Sequence, residues 1–216
     1  MIHTIVLDFD GTLVDSNEIK RQGFLSFACA DNGGEAKMRK ILNEVSGDRT
    51  FILSAYLQEI IGRPCEDGEL SDALQSYNDM VDAAVVSASE MFGASNFLAT
   101  LRHEGIKLIL SSATPEKNLL DIVARRGWLD MFDMVFGSPR DKIATLKSLI
   151  SPKTSASQLA VVGDGQDDRN SAREIGCRFF PVGEARGITA GEKIYTLPEI
   201  CSLLSGEIKK RAIDHA

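Results

Sequence analysis

Ile5-Val6-Leu7-Asp8-Phe9-Asp10-Gly11-Thr12-Leu13-Val14-Asp15-Ser16 is the stretch on which the reading of this chain turns. An apolar run of strand formers ends abruptly in two carboxylates and then a glycine. Such a run suits a strand buried on both faces of a parallel sheet. Asp8 and Asp10 are two apart, so extended backbone sends both side chains from one face. Two like charges at the end of a buried strand are costly unless a cation compensates them. Gly11 lets the chain turn sharply or lets a ligand approach the backbone. A turn and a helix N-cap would account for one carboxylate well and two poorly, so the pair points to a metal-dependent site.

Beyond Ser16 the apolar spacing becomes helical and stays so for roughly eighty residues. Ile19, Phe24, Phe27 and Ala28 form one face, ending at Asn32-Gly33-Gly34. Met38, Ile41, Leu42 and Val45 form a second, closed by Gly47. Ile52, Ala55, Tyr56 and Ile60 form a third, stopped by Gly62 and Pro64. Leu70, Leu74, Tyr77, Val81 and Val85 form a fourth, with Ser71 or Asp67 near its start. Four successive helices exceed what one crossover needs. Residues 16–89 are therefore expected as a small all-helical domain inserted after the first strand, with 1–15 and 90–216 forming the core.

From Gly93 onward strands and helices alternate. Ser95 is expected to cap a short helix with Phe97, Leu98 and Leu101. Ile106 to Leu110 reads as a strand followed by Ser111-Ser112-Ala113-Thr114-Pro115, with Thr114 capping a helix that begins at Pro115. Met134-Val135-Phe136 is a short strand, and Lys142 falls in the first turn of the next helix. Leu159 to Val162 is a buried strand ending in Gly163-Asp164-Gly165-Gln166-Asp167-Asp168. Phe179 to Val182 and Ile194-Tyr195 are expected as late strands, and Gly206 to Ala216 as a charged tail needing no fold of its own. The alternation predicts an α/β fold, a parallel sheet with helices on both faces.

The bulk numbers agree with an ordinary globular chain: 216 residues, 44% hydrophobic, 25% charged. A formal charge of −7 argues against a nucleic-acid backbone as the main partner but leaves a small anion open, because a bound cation reverses the local field. No run is long enough to span a bilayer, and no secretory segment is apparent, so a cytoplasmic location is expected. Cys29, Cys65, Cys177 and Cys201 are scattered, which disfavours thiolate metal sites and disulfide frameworks. His3, His103 and His215 are equally dispersed, giving a histidine zinc site or a Ser-His-Asp triad little to start from.

Ligands of open parallel sheets bind at the carboxyl ends of the strands. The polar residues at those ends are Asp8 and Asp10, Ser111 and Ser112, Lys142 after a short loop, then Asp164 and Asp168. Asp8, Asp10 and Asp164 offer hard oxygen ligands suited to magnesium. Ser112 offers a hydroxyl, the turn at Ala113 offers backbone N–H groups, and Lys142 brings a positive charge; all three suit a phosphate.

At these residues the chain resembles the haloacid dehalogenase superfamily, in particular its phosphatase-like members with a helical cap after the first strand. The resemblance rests on Asp8-Phe9-Asp10-Gly11-Thr12-Leu13-Val14-Asp15-Ser16, Leu110-Ser111-Ser112-Ala113, Lys142 and Gly163-Asp164-Gly165-Gln166-Asp167-Asp168. It implies a Rossmann-like core and a magnesium-dependent phosphatase acting on a small phosphorylated metabolite. Asp8 would be the nucleophile that becomes an aspartyl-phosphate, and Asp10 the acid and then the base. Magnesium would be held by Asp8, the carbonyl of Asp10 and Asp164, with Asp168 orienting water or Lys142. Ser112, Ala113 and Lys142 would bind the phosphoryl group, and the cap would close over the site and choose the leaving group. Asp10 argues against dehalogenation, since a departing halide needs no acid. Lys20, Lys37 and Lys40 lie in no context suggesting the Schiff-base lysine of phosphonate cleavage.

Some alternatives stay open at this level. Ser111 competes with Ser112, and Arg140 with Lys142, since Gly137-Ser138-Pro139-Arg140-Asp141-Lys142 lacks the Lys-Pro pair common in the group. Arg49 is a candidate substrate contact or a solvated surface arginine. A sugar-phosphate mutase uses the same two aspartates, and a non-catalytic metal- and phosphate-binding domain would keep the same fold.

Overall fold

The computed structural model describes residues 1–45, 47–184 and 192–214. Five parallel strands form its sheet: β1 (Thr4–Leu7), β2 (Lys107–Pro115), β3 (Met134–Ser138), β4 (Leu159–Gly163) and β5 (Arg178–Pro181). They lie in the order β3-β2-β1-β4-β5, with β1 central. Every residue of β1 and β4 is buried, as strands covered on both faces require. Val6 pairs in register with Ile109 on one side and Val161 on the other.

Those three side chains share a face with Leu146 of α7 (Lys142–Leu149) and Ala172 of α8 (Gln166–Ile175). The crossovers through α5 (Ala94–His103) and α6 (Glu116–Arg125) step the sheet in the opposite direction, from β1 to β2 to β3. Right-handed connections therefore put α5 and α6 on the other face. The last helix, α9 (Leu197–Asp214), packs beside α5.

Local details depart from the sequence reading where the backbone finds partners the pattern did not show. β2 continues past Leu110 to Pro115, so Thr114 is a strand-end residue, and Pro115 caps α6 instead of starting it. Gly93 is the N-cap of α5, and the Glu90 carboxylate accepts from Ser95 N (3.2 Å) and Ser95 Oγ (2.8 Å). Ile194-Tyr195 is not a strand: Tyr195 makes a single bridge to Val182 before Thr196 caps α9. The expected tail is helical through Asp214. Its residues are mostly good helix formers, and Glu207 ties α9 to Arg178 of β5 at 2.7 Å. His215 and Ala216 lie outside the described residues.

The chain divides into two compact units, Met1–Asp15 with Ser89–Ala216, and Ser16–Ala88. The second holds α1 (Asn17–Ala28), α2 (Gly34–Glu44), α3 (Arg49–Ile61) and α4 (Asp67–Ser87). Phe24 of α1 stacks on Tyr77 of α4 with ring centroids 4.3 Å apart, and Phe27 meets Tyr56 of α3 edge-on. The Tyr56 hydroxyl donates to Asp31 Oδ2 at 2.7 Å. Glu66 and Glu69 form the capping box that starts α4, and Asp67, expected near its start, is its first residue. Among the described residues no helix is long and apolar enough to cross a membrane.

Candidate active site

β1 and β4 are neighbours whose chains leave toward opposite faces of the sheet. This is the kind of switch point at which an open α/β sheet leaves a crevice. Asp8 follows β1 directly, its N–H donating to Val162 O at 3.0 Å, and Asp164 follows β4. Asp168 sits in the first turn of α8 and accepts from Gly165 N at 3.0 Å. Carboxylate oxygens of Asp8, Asp164 and Asp168 all lie within 4.8 Å of one another, and all three residues are buried. Position 163 beneath them must be glycine, because a Cβ there would collide with the Asp168 carboxylate.

Lys142 enters from α7. Asp141 caps that helix by accepting from Ala144 N at 2.6 Å, which fixes Lys142 as its first residue. Lys142 Nζ lies 3.0 Å from Asp8 Oδ1, 2.8 Å from Asp167 Oδ2 and 2.6 Å from Asp168 Oδ1. Arg140 faces elsewhere: its guanidinium bonds Thr145 Oγ1, Ala144 O and Ser148 Oγ and lies over the Phe136 ring. Lys142, and not Arg140, is the cation at the carboxylates.

Asp10 has different neighbours. β1 stops at Leu7, and Phe9 O gathers the N–H groups of Leu13 (2.9 Å) and Val14 (3.1 Å) in a tight loop, with Gly11 at φ 72°. Asp10 Oδ2 accepts from Ser112 Oγ at 3.3 Å and from Thr114 Oγ1 at 3.2 Å. Ser112 Oγ in turn accepts from Thr114 N at 3.1 Å. Ser111 points to the other side, where its hydroxyl donates to Thr145 Oγ1 at 3.4 Å. Ala113 is exposed at the strand end.

The electrostatics follow from crowding acids in a buried place. Burial pushes the Asp8 carboxyl well above the usual carboxylate range; Lys142 opposes this, while Asp168, Asp167 and Asp164 add to it. Asp168 is pushed up to about 6, again chiefly by burial and against the pull of Lys142. Burial alone would lower Lys142, but Asp8, Asp168 and Asp167 outweigh it and hold the ammonium charged far above neutrality. Among the described residues a single ammonium faces these acids, which leaves an excess of negative charge on hard oxygen donors. That donor set fits a magnesium ion.

The fold thus brings Asp8, Asp164, Asp168 and Lys142 into one cluster and puts Asp10, Ser112 and Thr114 into an adjoining one. The sequence reading missed two members. Sequence spacing assigns Thr114 to a helix cap and gives Asp167 no role, although Asp167 lies beside Asp168 on the first turn of α8. Arg49, in the helical unit, is not a solvated surface arginine. It is buried, donates to Asn78 Oδ1, lies 3.5 Å from Asp82 Oδ1 and covers the Tyr77 ring.

Comparison with known proteins gives the family and the fold. The chain is 25% identical over 210 residues to a phosphoglycolate phosphatase of Vibrio cholerae serotype O1, covering 89% of this chain and 88% of that protein. Its fold matches a predicted phosphoglycolate phosphatase from Haemophilus somnus 129pt with TM-score 0.75 at 16% identity, covering 94% and 98% of the two chains. It also matches CbbY from Rhodobacter sphaeroides, solved in complex with phosphate, with TM-score 0.70 at 18% identity, covering 93% and 96%. The sequence model of the haloacid dehalogenase-like hydrolases matches residues 5–182, and the chain belongs to that family.

Proposed function

We propose that this protein is a magnesium-dependent phosphatase that hydrolyses a small phosphomonoester through an aspartyl-phosphate on Asp8. The observation that carries the reading is the buried Asp8 carboxylate at the switch point, 3.0 Å from Lys142 and clustered with Asp164 and Asp168. Its relatives support it: one carries the name of a phosphatase, and one neighbour in fold was solved with phosphate.

In this reading an Asp8 carboxylate oxygen attacks phosphorus, and the bond from phosphorus to the ester oxygen breaks. Asp10, held by the Ser112 and Thr114 hydroxyls, gives its proton to the departing alcohol. The resulting Asp10 carboxylate then takes a proton from water, whose oxygen attacks the phosphorus of the acyl phosphate. The bond between phosphorus and the Asp8 oxygen breaks, freeing inorganic phosphate. Lys142 and the Ala113 N–H steady the charge on the transferring group, and Ser112 joins them when its single hydroxyl proton turns from Asp10 to a phosphoryl oxygen. Asp8, the Asp10 carbonyl and Asp164 would hold magnesium, which offsets the repulsion between carboxylate and phosphate when bound. Asp168 orients Lys142 through their 2.6 Å contact. We assign the choice of leaving group to the helical unit and catalysis to residues 1–15 with 89–216.

The test is a screen of phosphorylated metabolites with magnesium, phosphoglycolate and sugar phosphates first, with Asp8→Asn as control. Phosphate release that depends on magnesium and disappears in Asp8→Asn is expected. Isomerised sugar phosphate without net phosphate release would reject the phosphatase in favour of a mutase.

A further inference from the structure

Lys142 holds more acids than its proposed task allows. An ammonium has three N–H donors and no more. Lys142 Nζ donates to Asp8 Oδ1 at 3.0 Å, and Asp167 Oδ2 (2.8 Å) and Asp168 Oδ1 (2.6 Å) crowd the same ammonium as ion-pair contacts, so a phosphoryl oxygen has to take a place that one of these carboxylates holds. For Lys142 to touch substrate, one carboxylate must let go.

The surroundings decide which one. Asp168 has 1% of its side chain exposed and is held by Gly165 N at 3.0 Å. Asp8 has 10% exposed and stands at the rigid end of β1. Asp167 has 63% of its side chain in solvent. It reaches Lys142 by folding back over Gly165, where a Cβ would collide with Asp167 Oδ1. Releasing Asp167 returns a carboxylate to water, whereas releasing either of the others strands a buried charge.

We propose that Asp167 is a releasable stand-in for the substrate's phosphate, occupying the anion position on Lys142 and yielding it when a phosphoryl group arrives. This rests on the reading of Lys142 as a phosphate ligand given above. Asp167 is then a positioning residue that sets affinity: it competes with substrate and equally with product phosphate. Because it loosens both, the site gives up inorganic phosphate more readily than a bare lysine would.

The experiment measures inorganic phosphate binding by calorimetry in magnesium for wild type, Asp167→Asn and Asp167→Glu, alongside hydrolysis of p-nitrophenyl phosphate. Asp167→Asn is expected to tighten phosphate binding roughly three- to tenfold and to lower KM in parallel. Asp167→Glu, which restores the charge on a longer arm, returns both toward wild type. In a Lys142→Gln background the Asp167→Asn change should no longer tighten phosphate. Phosphate binding that is unchanged, weakened or undetectable in Asp167→Asn overturns the proposal. The same tightening without Lys142 also overturns it, since that would be a general effect of net charge. A wild type that hydrolyses no phosphomonoester rejects the phosphatase, while the calorimetry still decides the role of Asp167.

Discussion

Lys142 Nζ lies 3.0 Å from Asp8 Oδ1, joining the first residue of α7 to the end of β1 across 134 positions of sequence. Both groups are nearly sealed from solvent, with 9% and 10% of their side chains exposed. The pair locks two remote segments together and carries the balance of charge in the site.

Lys142→Met therefore leaves Asp8 and Asp168 without their cation. In metal-free protein at neutral pH the loss is expected to be about 3–5 kcal/mol, the usual cost of stranding one member of a buried pair. Urea denaturation measures it, and added magnesium should recover part of the loss. An unaltered midpoint would show that the pair contributes nothing.

Magnesium affinity should rise with pH. Asp168, with its carboxyl raised from 3.8 to about 6, keeps its proton in the fold at acidities where an unfolded chain has lost it. Its contribution to stability is thus full below 3.8 and is lost as pH climbs through about 6. Asp8 is shifted in the same direction. A cation must displace these protons, so binding at pH 5 should be weaker than at pH 7 and should release protons. Calorimetry in two buffers of different ionisation enthalpy reads that release; affinity that is flat across this range would contradict it.

Ser111 and Ser112 should separate cleanly. Ser112→Ala removes a hydroxyl on Asp10 and a proposed phosphate donor, and kcat should fall about a hundredfold. Ser111→Ala removes only a long bond to Thr145, so kcat should stay within about threefold of wild type. Thr114→Val tests the second hydroxyl on Asp10, with an expected tenfold loss in kcat. Steady-state kinetics on one substrate compares all three, and a larger loss in Ser111→Ala would reverse the assignment.

Arg49→Met should weaken the helical unit itself. The substitution keeps much of the apolar stem over Tyr77 but removes the donor to Asn78 and the charge beside Asp82. A loss of about 2–3 kcal/mol is expected for such a bonded, buried group. Hydrogen exchange should localise it to α3 and α4; protection unchanged in both helices would show that Arg49 does not join them.

The sequence carried most of the scaffold because buried strands announce themselves. Ile5 to Leu7 and Leu159 to Val162 are unbroken apolar runs, and the acids that follow them mark the sheet edge. The motif residues Asp8, Lys142, Asp164 and Asp168 could be named for the same reason. What stayed hidden depends on tertiary partners. Nothing local says that Glu90 will serve Ser95, that Thr114 will face Asp10, or that Arg140 will turn to Thr145 and Ser148. Nor does anything local say that Phe9 O will draw residues 12–14 into a tight loop or that Asp10 will meet Ser112 and Thr114. Asp167 and Asp168 are adjacent in sequence and similarly close to Lys142, and only their exposure, 63% against 1% of the side chain, sets them apart.

The missing side chain at position 163 has a consequence for how the protein can vary. Any replacement of Gly163 brings in at least a β-carbon, and the Asp168 carboxylate already fills that space. A descendant that retains Asp168 is confined to glycine here, whereas one that shortens Asp168 regains freedom at 163. The two positions can drift only as a couple, with the acid changing first.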